Sequence, residues 1–369
     1  MWFKDKEKSK LRVAIIGGGI GGAATAVALH RKGIKADLYE QATAIKEVGA
    51  GIGMRPPTLH FFKKWGIYDE IVQKSSVSDY MDVSTAHGDV SVKEEWPLLT
   101  ENPEETWARL IHRADVIDTL LNHVPSNNIH LKHRCKKIIE HDDYADVYFE
   151  NGKKIEADLV IAADGIRSTI RRQFFSDAEP VYSGMHAYRT LLKEKDAFFV
   201  VNDTFRVFVA ESGAHIYLMP LHHRNQVSYD ITVHSEDASR RPEVSREQIL
   251  QHLEEFDPKF KKMAMIAEDF TCHAVYDIDP INRWTSNCIG LLGDAAHAML
   301  HHRGQGANMA IQDAGVLAES IEEADTIQGA LKIYESRRKP TTYQYQKLSR
   351  QTPNVKAETA FPEKETLGI

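Results

Sequence analysis

The segment VAIIGGGIGGAATAVAL, Val13 to Leu29, leaves few ways to fold. An apolar run, Leu11 to Ile16, ends in Gly17, Gly19 and Gly22 at GxGxxG spacing and leads into a helix-like stretch, Ala23 to Lys32. Glycine is needed at such points for a tight turn, for close approach of the backbone to a pyrophosphate, and for close helix–strand packing. The helix start then aims its free amides and positive dipole end at the phosphates. A second strand, Lys35 to Tyr39, delivers Glu40 about 20 residues beyond the glycines, where a carboxylate accepts hydrogen bonds from an unphosphorylated ribose. The spacing predicts a parallel strand–helix–strand unit that holds a dinucleotide.

A basic stretch, Lys4 to Arg12, ahead of this uncharged run also has the outline of a secretory signal or a membrane anchor containing GxxxG. The run is 17 residues long, short of the roughly 20 a membrane helix needs, and it is broken by glycines. No transmembrane segment is expected. The net charge of −7 gives no electrostatic footprint for nucleic acid. Three cysteines, Cys135, Cys272 and Cys288, form no close pair and suggest neither a disulfide framework nor a cysteine zinc site, which suits a reducing cytoplasm.

At 369 residues the chain has room for two domains, and the order of patterns predicts that they interleave. The expected fold class is α/β: a Rossmann-like dinucleotide-binding domain with an interleaved β-rich substrate domain. Residues 1–72, 100–178 and 282–350 fall to the first domain, 73–99 and 179–281 to the second, and 351–369 to a mobile tail. Within the first, Gly49 to Ile67 reads as a glycine-rich loop entering a helix through Pro56 and Pro57, after which Ser75 to Glu105 is a polar segment. Asn128 to Cys135, Ala145 to Glu150 and Ala157 to Ala163 read as strands, the last two joined as a hairpin around Asn151 and Gly152. Ala197 to Asn202, Phe205 to Ala210, His215 to Pro220 and Gln226 to Val233 read as a largely antiparallel sheet. Cys288 to Leu292 reads as a buried strand, with helices at Gly306 to Glu323 and Ala330 to Arg350.

Two later segments carry polar groups that suit a flavin dinucleotide. DLVIAADGIRSTIRR, Asp158 to Arg172, sets Asp164 and Gly165 between a strand and a short basic helix. Asp164 either holds a cofactor there, with Arg167 or Arg171 near a phosphate, or caps the helix. In LLGDAAHAMLHHRGQGANMAIQDA, Leu291 to Ala314, Asp294 is placed to accept from a flavin's sugar-alcohol chain. The helix beginning near Gly306 faces the ring that becomes negative on reduction.

Taken in order, GxGxxG with Glu40, GAGI at Gly49 to Ile52, His112-Arg113-Ala114-Asp115, DLVIAADGIRS and GDAAHAMLHHRGQGANMAIQDA resemble the group A, single-component FAD aromatic monooxygenases, the p-hydroxybenzoate hydroxylase superfamily. The chain looks most like the branch with salicylate and 6-hydroxynicotinate hydroxylases. The resemblance implies that Glu40 binds the adenosine ribose, Gly53 contacts the flavin, Arg113 reaches the flavin chain or phosphates, and Asp294 binds the ribityl or phosphate region. It implies a backbone contact near adenine at Cys135, and a role for Asp164 toward both FAD and the nicotinamide donor. The implied reaction is hydroxylation of a small electron-rich aromatic or N-heteroaromatic ring: NADH or NADPH reduces FAD, O2 adds to give a flavin hydroperoxide, and the ring attacks its distal oxygen. Where relatives carry a proline beside flavin and substrate this chain has His301, and Pro57, Ala162, Ala298 and Gln312 are further departures.

Tyr217 heads the catalytic candidates, with His215 on the same strand face and His301 behind it. His297, His301 and His302 also raise the question of a metal, but no HExxH and no carboxylate partner accompany them, and no metal is expected. A flavin halogenase is disfavoured by the absence of a Trp-x-Trp motif. The alternatives are a FAD dehydrogenase or oxidase without oxygen insertion, and a non-enzymatic regulator on the same scaffold.

Overall fold

A computed structural model describes residues 10–45, 50–78, 80–95, 108–200 and 202–351. Gly49, part of the polar segment and the expected mobile tail from 352 onward lie outside the described residues. The four buried residues Val13–Ile16 form the central strand of a five-stranded sheet. Leu159–Ala162 and Ala36–Tyr39 flank it, with Ile289–Leu291 and Ile129–His130 at the edges, all parallel. Parallel strands covered on both faces are apolar throughout, which is why VAII, LVIA and IGL show no alternation.

Helix Ile20–Arg31 packs against the long helix Gly306–Glu323, which also packs on helix Pro56–Lys64. The approach is close because small residues permit it. A Cβ at Gly21 would stand 2.7 Å from Leu292 Cδ2, and one at Gly315 only 2.2 Å from the ring of Phe61. The run Val13 to Leu29 is thus a buried strand and a domain helix. Among the described residues no helix is long and apolar enough to cross a membrane.

A second, seven-stranded sheet runs in the order Thr271–Asp277, Val181–Lys193, Gln226–His234, His215–Leu221, Phe205–Val209, Tyr80–Thr85 and Val90–Glu95. Only the pair Phe205–Val209 with Tyr80–Thr85 is parallel. Along Gln226–His234, Val227, Tyr229, Ile231 and Val233 enter a core with Leu253 and Phe260 from helices and turns on one face. The strand period then sends Ser228, Asp230 and Thr232 to the other face, toward the first domain's loops.

Five expectations need correction. The run Asn128 to Cys135 holds only the short strand Ile129–His130, is broken by left-handed backbone at Lys132, and resumes as the separate strand Cys135–Glu140. Gly51–Met54 is a strand rather than a loop, pairing antiparallel with Ala108–His112, which also pairs with Ser75–Ser78. The polar segment holds strands at Ser75–Ser78, Tyr80–Thr85 and Val90–Glu95. The run Ala157 to Ala163 divides at Asp158. Lys154–Ala157 completes the hairpin with Ala145–Phe149, while Leu159–Ala162 enters the parallel sheet. Fully buried Asp158 accepts from the backbone and guanidinium of Arg12 at that change of direction. No strand forms between Ala197 and Asn202 among the described residues, because a 3-10 turn at Glu194–Asp196 and left-handed backbone at Phe199 and Asn202 interrupt extension.

Candidate active site

The carboxyl end of Val13–Ile16 opens into the glycine turn. Gly17 has φ +110, and a Cβ there would lie 2.2 Å from the Ala163 carbonyl oxygen. A Cβ at Gly22 would stand 1.9 Å from the Gly17 carbonyl oxygen, so turn and helix touch backbone to backbone. Gly19 differs: nothing lies within 4 Å of its Cβ position, and it lines a cavity of about 390 Å³. Gly19 is also the N-cap of helix Ile20–Arg31 and provides no side-chain cap, leaving first-turn amides for a ligand. Glu40 reaches back to this turn, its two oxygens accepting from Gly18 N at 2.7 Å and Ala42 N at 2.8 Å.

A second helix start faces the same cavity. Gln305 caps helix Gly306–Glu323 without a side-chain hydrogen bond, and Gly304, Gly306 and Ala307 line the cavity beside Asp294. Asn308, fully buried, holds this end in place. Its Oδ1 accepts from Arg55 N and Thr58 Oγ1, and its Nδ2 donates to the Gly53 and Gly304 carbonyls. Gly53 itself lines the cavity. His112 caps the helix Arg113–Asn122 by accepting from Ala114 N, so Arg113 stands at the first helical position, on the cavity wall.

Asp164 takes the capping role that the sequence allowed. Its Oδ2 accepts from Thr169 N and Ile170 N, capping the short helix Thr169–Phe174, while its buried Oδ1 has no hydrogen-bond partner. Burial pushes this carboxyl above its ordinary value against the bonds from Ser168, Ile170 and Thr169. Neighbouring Gly165 and Ala163 line the cavity. Arg171 is committed elsewhere, bonding the carbonyls of Ala295, Ile166 and Ala178. Cys135 lies in the ribbon strand Cys135–Glu140, near Asp164 but off the cavity wall, with its thiol pushed up to about 12 by burial.

The sheet supplies the opposite wall. Tyr217 and His301 line the cavity, but His215 is fully buried behind them, its ring 5.1 Å from that of Tyr217. Tyr217 Oη faces His302 Nδ1 at 3.4 Å, and His301 Nε2 faces Thr232 Oγ1 at 2.9 Å. Burial raises the Tyr217 hydroxyl far above the ordinary phenol value and lowers His215 to about 4, His302 to about 3, and His301 well below the ordinary range. The imidazoles are neutral at physiological pH. His297 points away and bonds buried Asp313 at 2.6 Å.

Asp230 is the acid that sequence reasoning missed. It lies opposite Tyr217 across the strand pair and lines the cavity, with Arg189 Nε 3.6 Å away and Ser228 Oγ donating at 3.1 Å. Burial lifts its carboxyl to about 6, against the pull of Arg189. Its signal was the polar triplet Ser228, Asp230, Thr232 on alternate positions of a strand whose other face is core.

The sequence profile described as "FAD binding domain" matches residues 10–349. The chain belongs to this family. The FAD-binding chain is 30% identical over 344 residues to 3-hydroxybenzoate 6-hydroxylase of Klebsiella oxytoca, spanning 90% of this chain and 85% of that one. It is 28% identical over 350 residues to 6-hydroxynicotinate 3-monooxygenase of Pseudomonas fluorescens, spanning 92% and 90%. The fold superposes on Klebsiella pneumoniae HpxO complexed with FAD and uric acid with a TM-score of 0.83 at 24% identity, over 93% and 88% of the chains. A salicylate hydroxylase substrate complex superposes with a TM-score of 0.77 at 24% identity, over 93% and 88%. FAD is therefore the cofactor, and the residues fit it: two uncapped helix starts and a bare position at Gly19 line one cavity, with the unpartnered Asp164 Oδ1 between its wall residues Ala163 and Gly165.

Replacing Asp294 with alanine removes a charged acceptor beside the second helix start. With hydrogen bonds to charged groups contributing about 1.5–3 kcal/mol, FAD affinity is expected to fall about tenfold or more. Flavin fluorescence titration measures this directly, and unchanged affinity would remove Asp294 from the flavin site.

Proposed function

We propose that this FAD-dependent chain is an NAD(P)H monooxygenase that hydroxylates a small electron-rich aromatic or N-heteroaromatic ring. The observation that carries this reading is a single cavity with a nucleotide-type wall of helix amino ends and an opposing wall of Tyr217, Asp230 and Arg189. The hydroxylase and monooxygenase names of the similar proteins support it. Bound FAD supplies hydride acceptance from NADH or NADPH and activation of O2. The chain's own residues then do four things.

Amides at Gly19 to Gly21 and the side chains of Glu40, Arg113 and Asp294 hold the dinucleotide, with Cys135 near its adenine end and Asp164 near its chain. Met81, Val83, Leu110, Phe205 and Val207 keep water from the reacting centre. The ring slots beside Phe205 and Tyr217, whose rings lie 5.9 Å apart and nearly parallel. Asp230 accepts the proton of a ring hydroxyl, raising the electron density of the carbon that takes up oxygen, while Arg189 offers a cation to the substrate's anionic group. Tyr217 and His301 orient the ring, and His215 supports Tyr217 from behind. The free buried cysteines suit a cytoplasmic location.

Hydroxybenzoates and hydroxypyridines that stimulate NAD(P)H oxidation are expected to yield products carrying one atom from 18O2, read by mass spectrometry. Stimulated oxidation that gives only hydrogen peroxide, or a dehydrogenated product without label, would overturn the reading in favour of an oxidase or dehydrogenase.

A further inference from the structure

Three histidines from two distant parts of the chain meet behind the substrate wall. His215 comes from strand His215–Leu221, and His301 and His302 from the 3-10 turn His301–Arg303 that precedes the flavin-facing helix. One ring nitrogen of each falls within 4.8 Å of those of the other two. The sequence pointed instead to His297, which is tied to Asp313, so the grouping is visible only once the sheet is folded onto the turn.

We propose that His215, His301 and His302 form a site for a divalent first-row transition ion of the Zn2+ type in the wall of the substrate cavity. The hydrogen bonds on the outer side of each ring make the case. His215 Nδ1 lies 3.1 Å from the Gly213 carbonyl oxygen, which can only accept, so Nδ1 carries the proton and Nε2 carries a bare lone pair. That Nε2 is buried in a residue with no exposure and has no hydrogen-bond partner. His302 Nδ1 faces Tyr217 Oη, which accepts its proton in the tautomer that frees Nε2, and that Nε2 is buried and unpartnered. His301 is held through Nε2 by Thr232 Oγ1, leaving Nδ1.

Fixing one nitrogen of an imidazole and presenting the other is how metal-binding histidines are oriented. An ion bound to both buried Nε2 atoms would give each the partner it lacks. Three imidazoles without thiolate or multiple carboxylates select zinc, copper, nickel or cobalt over magnesium or calcium. Three protein ligands also leave a fourth position open, and because His301 and His302 line the cavity, that position faces it. The anionic group of an aromatic substrate is the oxygen donor that the cavity would bring to that position.

The test uses the FAD-loaded full chain, stripped with a chelator and dialysed against micromolar Zn2+, with bound metal measured by mass spectrometry. One equivalent per chain is expected. His215→Gln and His302→Gln should each weaken Zn2+ binding by more than tenfold, and Thr232→Val, which removes only an outer support, by about 10-fold. Flavin absorbance and far-UV circular dichroism confirm that each variant is folded. Should His215→Gln fail to fold, His302→Gln and Thr232→Val decide the matter. Substoichiometric zinc in the parent, or retention unchanged in folded variants, would overturn the site. So would a crystal grown in zinc that holds only a water between the two Nε2 atoms. None of these outcomes depends on oxygen insertion, so this site and the monooxygenase reading fail separately.

Discussion

Replacing Asp230 with asparagine is expected to lower turnover of a hydroxylated aromatic by about 10²–10⁴-fold, the usual contribution of a positioned proton acceptor. Asparagine keeps the shape and can still accept from Ser228 Oγ. It cannot take a proton. In the parent, burial lifts the Asp230 carboxyl to about 6, so the accepting form appears as pH rises through that value, and kcat/KM should climb along the same limb. The Asn variant should lose that limb, and substrates whose hydroxyl is already ionised should lose least. Stability should move the other way. A carboxyl whose folded value lies above its unfolded value stabilises the chain only below the unfolded value near 4, and this is lost as pH rises through about 6. Above that pH the ionised, largely buried group costs on the order of 2–3 kcal/mol. The Asn variant is therefore expected to unfold at equal or higher urea than the parent at pH 7 to 8, on the order of a neutral-to-favourable change. A variant that loses both activity and stability would assign Asp230 to the framework instead.

Asp313→Ala is expected to remove about 3–5 kcal/mol of stability, the cost of stranding a buried charge. Asp313 is fully buried in helix Gly306–Glu323 and carries three loads. Oδ1 accepts from Arg338 Nε at 2.7 Å, while Oδ2 accepts from His297 Nε2 at 2.6 Å and from Gly293 N at 3.1 Å. Burial opposes its charge, yet His297 and Arg338 together hold the carboxyl below its ordinary value. A folded value below the unfolded one means stability present above pH 4 and lost as pH falls through the folded value. Because Gly293 precedes Asp294, the same substitution should loosen the flavin site. Urea unfolding and FAD content measure the two effects, and a midpoint unchanged in the alanine variant would show that Arg338 finds other partners.

The strand–helix–strand unit with its glycine turn was legible because its signals are local. Gly17, Gly19, Gly22 and Glu40 lie within one strand–helix–strand unit, and their chemistry follows from spacing over a few turns. Asp294 and the helix at Gly306 were legible for the same reason. The substrate wall was not, because it is made by register. Asp230 reaches the cavity only through its pairing opposite Tyr217, and a slip of one residue would have turned it into the core. His215 joined His301 and His302 rather than lining the cavity, since the second sheet docks its strand behind the turn. Gly51–Met54 read as a loop because two of the four residues of GIGM are glycine, and the ladder with Ala108–His112 supplied what composition did not.

The parallel sheet is assembled from pieces far apart in the chain, and this sets an order on its birth at the ribosome. Leu159–Ala162 emerges long before its outer neighbour Ile289–Leu291, and helix Ile20–Arg31 long before its cover Gly306–Glu323. At about 5–20 residues per second the wait is on the order of ten seconds, with an apolar strand edge bare throughout. A nascent chain halted in that interval exposes an apolar edge of the kind that chaperones grip.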